Sequence, residues 1–311
     1  GDKELRTNME RYFVYCLCWS VGALLEADDR LKFDEWLRSR GADRSVMPRV
    51  ERQGETIFEY FINPQTCQWE KWSPPTWTCP KDEKLDFSNL LVPTMDSTRA
   101  MYVIKHIHKQ RVPVLVVGAE GTAKTSTQLM FLSSQDPSRM LTKRINFSSA
   151  TTPGMAQYSI EAELDKRGGK NFGPPGNKKL VYFVDDLNMP TKETYGAQPP
   201  IELLRQIINQ KDDRNGGFYD LKKIGLFKRV QKTQFIAANA PPGGGRSVVT
   251  ARLLRHFHLI NIPDLHKDTM MKIFSSILEG FLQDFPQDFQ ALAIPIVNGT
   301  LTVYQDIQKA L

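Results

Sequence analysis

Residues 118–125 read Gly-Ala-Glu-Gly-Thr-Ala-Lys-Thr and directly follow the apolar run Val112-Pro113-Val114-Leu115-Val116-Val117. A buried strand, a glycine-bearing turn and then a helix is the setting of a phosphate-binding P-loop. Small residues let the backbone wrap a phosphate chain, with exposed N–H groups pointing at it. On this reading Gly118, Ala119, Glu120, Gly121, Thr122, Ala123, Lys124, Thr125 and Ser126 form the nucleotide cradle. Lys124 reaches the outer phosphates, and the Thr125 hydroxyl helps to hold Mg²⁺. The strict pattern has glycine before the lysine, where this chain has Ala123, whose methyl group resists positive φ.

A second stretch supports the first. Lys179-Leu180-Val181-Tyr182-Phe183-Val184 is an apolar strand that ends in Asp185-Asp186. Parallel sheets bury such strands on both faces and open their ligand crevice at the carboxyl ends. Asp185 is therefore expected beside the P-loop as a Mg²⁺ ligand, directly or through water. The plainer alternative is a solvated turn or a helix cap.

The chain has 311 residues, enough for about two domains with cores. A net charge of +6 is modest, and the lysines and arginines are dispersed. Nothing calls for a nucleic-acid partner. No apolar run approaches a membrane span, and no signal peptide opens the chain. Cys16, Cys18, Cys67 and Cys79 form no CxxC pair and have no histidine cluster beside them. Buried free thiols are expected in preference to a zinc site.

All four cysteines and all five tryptophans lie before residue 80, a compositional break. Residues 9–40 carry helical apolar bands, and 56–72 carry short strand signals around Asn63-Pro64. Trp69, Trp72 and Trp77 are expected to pack one unit on the next rather than to stack on a ligand. From about residue 88 helices and strands alternate. Helices are expected at 97–110, from the P-loop to about 132, and at 155–166, 201–210 and 270–285. Strands are expected at 112–117, 144–147, 180–184, 233–238 and 259–262. Such alternation gives an α/β fold, a parallel sheet flanked by helices. Gly173-Pro174-Pro175-Gly176 and Gly243-Gly244-Gly245 read as turns.

Longer strings carry a family resemblance. Phe183 to Pro190 (FVDDLNMP), Tyr195 to Gln206 (YGAQPPIELLRQ), Pro241 to Arg246 (PPGGGR) and Arg252 to Phe257 (RLLRHF) closely resemble dynein heavy chains. The pattern looks like the third AAA+ module of the six-module motor ring, in the axonemal branch. Cys18 to Leu24 (CWSVGAL) is similar to the lid of the second module and its link to the third. The resemblance implies an AAA+ P-loop NTPase fold with three parts. Residues 1–87 would be the lid and linker of the preceding module, a helical segment with short strands. Residues 88–263 would be the large subdomain, and 264–311 the start of an incomplete helical lid. The chain would be a fragment of a longer protein.

The resemblance also implies roles. Lys124 and Thr125 look like the phosphate- and Mg²⁺-binding pair for ATP or ADP, and Asp185 looks like the Mg²⁺ ligand. Most AAA+ ATPases have a water-activating glutamate at the next position, where this chain has Asp186, one methylene shorter. Asn239 resembles the polar sensor of the γ-phosphate, although many relatives carry the asparagine one place later, at Ala240. Arg252 and Arg255 resemble arginines that reach a neighbouring module's site in trans. Implied partners are the neighbouring AAA+ modules of the same heavy chain. Microtubules and dynein intermediate and light chains follow through the parent protein. The implied location is the cytoplasm and cytoskeleton, in the axoneme of a cilium or flagellum.

Three functions stay open at this point. The first is an ATP-binding module with a regulatory site, favoured by Ala123 and Asp186. The second is an active AAA+ ATPase, and the third a nucleotide-free structural spacer. A GTPase fits poorly, because Asn177-Lys178-Lys179 lacks the aspartate of a guanine-specific loop.

Overall fold

The computed structural model describes residues 2–40, 46–52, 54–80, 90–209 and 216–310. In chain order the elements begin with α1 (Asp2–Ser20), α2 (Ala27–Ser39), β1 (Tyr60–Ile62) and β2 (Trp69–Lys71). Next come α3 (Met95–Lys109), β3 (Val114–Val117), α4 (Lys124–Ser133), β4 (Met140–Asn146) and α5 (Pro153–Glu161). Then follow β5 (Asp165–Gly168), β6 (Asn171–Gly173), β7 (Lys179–Asp185), α6 (Pro199–Ile208), β8 (Gly217–Tyr219), β9 (Phe227–Val230) and β10 (Thr233–Asn239). The last are α7 (Ala251–Leu254), β11 (His258–Asn261), α8 (Lys267–Leu282), α9 (Gln287–Gln290) and α10 (Ala293–Ala310). The elements fall into two compact units, each discontinuous in sequence. One comprises Gly1–Glu70 with Ala100–Pro263, and the other Lys71–Arg99 with Asp264–Leu311. The boundary expected at 87/88 lies outside the described residues.

The first unit is built on a five-stranded parallel sheet of order β11-β3-β10-β7-β4. Its three central strands, β3, β10 and β7, are largely apolar on both faces, as parallel strands covered on two sides must be. Val114, Val116, Val181, Phe183, Ile236, Ala238 and Ile260 face one core, shared with Trp19, Ile57, Phe58 and Ile104. Leu115, Leu180, Tyr182, Val184, Phe235 and Ala237 face the other, against Ile160, Leu204 and Leu253. The N-terminal helices thus complete one face of the sheet. Buried Asp34 fastens them: it accepts from Arg38 Nε at 2.6 Å and from the Ile57 N–H at 2.8 Å.

Several expectations need correction. The helix expected over 155–166 stops at Glu161, and Lys166 lies in β5. Gly169, at φ 57°, turns the chain back into β6, so this stretch pairs as a hairpin instead of extending the helix. These strands belong to an unforeseen second sheet of order β5-β6-β9-β8. Lys228 pins it by pairing with Glu161 at 2.5 Å and Asp220 at 2.6 Å. Its ammonium holds the Asp220 carboxyl well below the usual carboxylate range. The strand expected over 144–147 is longer, because every residue from Met140 to Asn146 pairs with β7. The end of the helix expected over 201–210 lies outside the described residues. Of the four cysteines only Cys18 is buried, while Cys16 is exposed and Cys67 and Cys79 are partly exposed.

In the second unit α8 and α10 pack through Leu282, Ala293, Val297 and Leu301. The Cys79 segment crosses α8 at Gly280, where an added Cβ would lie 2.3 Å from the Cys79 Cβ. No helix among the described residues is long and apolar enough to cross a membrane.

One buried titratable group makes the fold sensitive to acid. His108 closes α3 edge-on against Phe131, and burial, assisted by Lys179, lowers its pKa to about 4. The unfolded chain takes up this proton near pH 6.5 and the folded chain only near 4. The contribution of His108 is therefore whole above pH 6.5 and is lost as pH falls toward 4, by at most about 3 kcal/mol. Urea titrations from pH 7 to 4 are expected to show this loss, with a flatter profile in His108→Gln.

Candidate nucleotide-binding site

The parallel pairing sets the carboxyl ends of β3, β7 and β10 side by side. Val117 is in register with Asn239, and Ala237 with Val184. The loop 118–123 leaves β3 and enters α4 at Lys124. Gly118 is needed where it stands, since a Cβ would lie 2.5 Å from the Ile262 carbonyl oxygen and 2.7 Å from Thr122 Oγ1. Gly121 adopts φ 76°, and Ala123 is left-handed at φ 62°, ψ 27°. The non-glycine residue before the lysine therefore takes the conformation that glycine favours, which costs roughly 1–2 kcal/mol.

Lys124 folds back over the loop, donating to the Ala119 carbonyl and, at 3.4 Å, to Thr122 Oγ1. Its pKa is lowered, first by burial, with the Arg246 charge adding to this and Asp186, Asp185 and Glu120 opposing it. Thr125 Oγ1 donates to the Asp185 carboxylate, 3.1 Å from Oδ1 and 3.0 Å from Oδ2. Hydroxyl and carboxylate oxygens are the hard donors that Mg²⁺ takes, and their junction at the loop fits that ion. Ser126 lies in the first turn of α4, partly buried.

Asp186 follows the end of β7 and turns left-handed at φ 52°, a conformation that aspartate tolerates. Its N–H donates to Asp185 Oδ1 at 3.2 Å. Asn239 ends β10, and its buried Oδ1 has no hydrogen-bond partner among the described residues. A buried acceptor left open beside a phosphate loop awaits a donor.

The two arginines expected to act in trans sit elsewhere. Arg252 lies in α7 and Arg255 follows it, both exposed, immediately before β11. Because β11 runs parallel to β3, they lie at the amino edge of the sheet. The P-loop leaves the opposite edge, a strand length of about 13 Å away. Arg255 instead lines a cavity of about 460 Å³ with Lys179, Lys232, Arg111 and His258.

Two guanidinium groups at the loop escaped the sequence reading. Arg144 of β4 pairs with Asp185 Oδ2 at 2.7 Å. It stands one strand away from the acid it meets, and only the β4–β7 register, Asn146 opposite Asp185, brings it there. Arg246 pairs with Glu120 of the loop. The triple glycine before it reads as a plain turn, and that turn is what delivers it.

A five-stranded parallel sheet in this order, with a phosphate loop after β3 and an acid pair after β7, defines an AAA-type P-loop module. Residues 79–265 match the family described as P-loop containing dynein motor region. Residues 1–74 match the Dynein heavy chain AAA lid domain. The chain belongs to the dynein heavy-chain motor family. It is 39% identical over 303 residues to Dynein axonemal heavy chain 5 of Rattus norvegicus, covering 96% of this chain and 9% of that protein. It is 38% identical over 308 residues to the Dynein gamma chain, flagellar outer arm, of Chlamydomonas reinhardtii, covering 97% and 7%. Against Dynein axonemal heavy chain 1 of Homo sapiens it is 32% identical over 331 residues, covering 97% and 8%. The chain thus spans less than a tenth of each of these relatives.

Loop geometry predicts opposite outcomes for two single-methyl changes. Gly118→Ala forces a methyl group onto the Ile262 carbonyl and is expected to cost about 1–3 kcal/mol. Ala123→Gly relieves the left-handed alanine and, net of glycine's entropy, is expected to add about 0.5–1 kcal/mol. Urea midpoints at neutral pH check both signs.

Proposed function

We propose that this chain is the third AAA+ module of an axonemal dynein motor ring, preceded by the lid of the second module. Its site binds ATP or ADP with Mg²⁺ and regulates the ring, while the main power-stroke hydrolysis belongs elsewhere. The reading assigns 1–87 to the preceding lid and link, 88–263 to the large subdomain and 264–311 to the start of this module's own lid. Its relatives are named as axonemal and flagellar dyneins, which supports a place in the axoneme of a cilium or flagellum. Through the parent heavy chain it would work with the neighbouring modules, microtubules and dynein intermediate and light chains.

The observation that carries the nucleotide reading is the junction of Thr125 with both oxygens of Asp185, with Lys124 one residue away. Lys124 releases the Ala119 carbonyl to take an outer phosphate. Thr125 and Asp185 would hold Mg²⁺, which would supply positive charge to offset that of the outer phosphates. Asn239 Oδ1, open and buried, suits a donor such as the attacking water. In hydrolysis that water's oxygen bonds to the γ-phosphorus as the bond to the β–γ bridging oxygen breaks. Asp186 accepts the water's proton. Arg252 and Arg255, at the far edge of the sheet, serve a neighbouring site rather than this one.

The regulatory reading rests on Asp186. Its carboxylate is one methylene shorter than the usual glutamate, and a base misplaced by about an ångström loses roughly a hundredfold in rate. Labelled ATP and ADP binding to the 311-residue chain is expected to vanish in Lys124→Ala and to lose its Mg²⁺ dependence in Asp185→Ala. Unchanged affinity in Lys124→Ala would refute the site. Within a complete ring, Asp186→Glu is expected to raise turnover by this module. Turnover equally flat in Asp186→Glu and Asp186→Ala would remove Asp186 as the base.

A further inference from the structure

The loop 241–247 is secured at its base and tight at its tip. Asn188 Nδ2 donates to the Ala240 carbonyl at 2.8 Å, and the Ser247 N–H donates to the Asn188 carbonyl at 3.1 Å. The loop is thus fastened to the chain that has just passed Asp185 and Asp186. At its tip Gly243, Gly244 and Gly245 take φ values of 130°, 55° and 85°. The Gly243 and Arg246 backbones exchange two hydrogen bonds, at 3.2 and 2.9 Å. Three successive positive-φ positions are open to glycine at little cost and to few other residues. They close a turn that presents Arg246 to the phosphate loop.

There Arg246 Nη1 pairs with Glu120 Oε1. The carboxylate is 74% exposed and the guanidinium side chain 19%. A pair with so exposed a partner contributes little to stability, so fold stability alone gives weak reason for the arrangement. With Lys124 donating to the Ala119 carbonyl of the same loop, two cations are held at one place. The Nε of Arg246 is buried and has no acceptor among the described residues. A planar guanidinium with one edge on a carboxylate and a buried donor left open is suited to phosphate oxygens.

We propose that Arg246 is a nucleotide-binding residue of this module that reads the terminal phosphate, with Glu120 as its stand-in anion when the loop is empty. The inference rests on the nucleotide-binding reading of the loop and adds a specificity to it. A triphosphate places a terminal charge between Lys124 and Arg246 and takes the guanidinium from Glu120. A diphosphate leaves Arg246 on the carboxylate. Discrimination between ATP and ADP then comes from a cation in cis, carried by the loop that is bonded to the acidic strand end.

The test is calorimetric binding of a non-hydrolysable ATP analogue and of ADP, each with Mg²⁺, to the 311-residue chain and its variants. Arg246→Ala is expected to weaken the triphosphate by about ten- to a hundredfold, the range for a hydrogen bond to a charged group. ADP affinity is expected to change by less than about threefold. Arg246→Lys should restore part of the triphosphate affinity. Glu120→Gln, which removes the competing carboxylate, should raise the ratio of triphosphate to ADP affinity. Equal losses for both nucleotides in Arg246→Ala, or no loss, would overturn the inference, with urea midpoints confirming that the variants fold. Lys124→Ala separates the two levels. Binding that survives Lys124→Ala removes the nucleotide site itself. If Lys124→Ala abolishes binding while Arg246→Ala leaves the triphosphate-to-diphosphate ratio unchanged, only the role of Arg246 fails.

Discussion

The parallel register of β3, β10 and β7 is the constraint on which the candidate site depends. It aligns Val117 with Asn239 and Ala237 with Val184, so β3 delivers the phosphate loop, β7 Asp185 and β10 Asn239 to the same edge. The hydrogen bonds from Thr125 to Asp185 can form only in that register. A one-residue slip of β7 would send Asp185 to the opposite face and bury its neighbour in its place. The two apolar cores fix the register. Phe183 belongs to one and Tyr182 to the other, both inaccessible to solvent, so exchanging them would demand a rebuilt interior.

The same constraint explains what was legible in the sequence. A buried parallel strand is a nearly continuous apolar run, and β3, β7 and β10 announce themselves that way. The phosphate loop and the aspartates are read next to strand ends because they are contiguous with them. Arg144 is different. It lies mid-strand in an alternating edge strand, Met140–Asn146, and meets Asp185 only through a pairing the sequence does not spell out. The small sheet β5-β6-β9-β8 was hidden for a related reason. Its strands are three or four residues long, too short to show a period, and β6 pairs with β9 across more than fifty residues of chain. Gly217 marks the sheet only in retrospect: a Cβ there would lie 2.1 Å from the Lys228 carbonyl oxygen.

Charge at the loop is balanced in a way that neither motif predicts. Lys124 stands near Asp185, Asp186 and Glu120, Arg246 pairs with Glu120, and Arg144 occupies one oxygen of Asp185. Every cation has an internal partner: Lys124 has a carbonyl, and the two arginines have carboxylates. A ligand must therefore exchange these contacts, not merely fill a space. Binding free energy is the difference between new and surrendered interactions, so the net affinity is smaller than a count of phosphate contacts would imply. Such exchange suits a site whose occupancy is meant to change.

The position of Arg255 gives the arrangement a direction. The sheet has one edge that holds acids and a phosphate loop, and an opposite edge where Arg111, Lys179, Lys232 and Arg255 line a common cavity. Strands about 13 Å long separate the two. The module therefore has two chemically different edges, a phosphate loop with acids on one and a basic array on the other. The polarity follows from parallel pairing alone, since an antiparallel β11 would bring Arg255 round to the edge that carries the P-loop. Parallel topology therefore does two things at once. It concentrates the phosphate-binding groups on one edge, and it leaves the exposed arginine that follows α7 at the other.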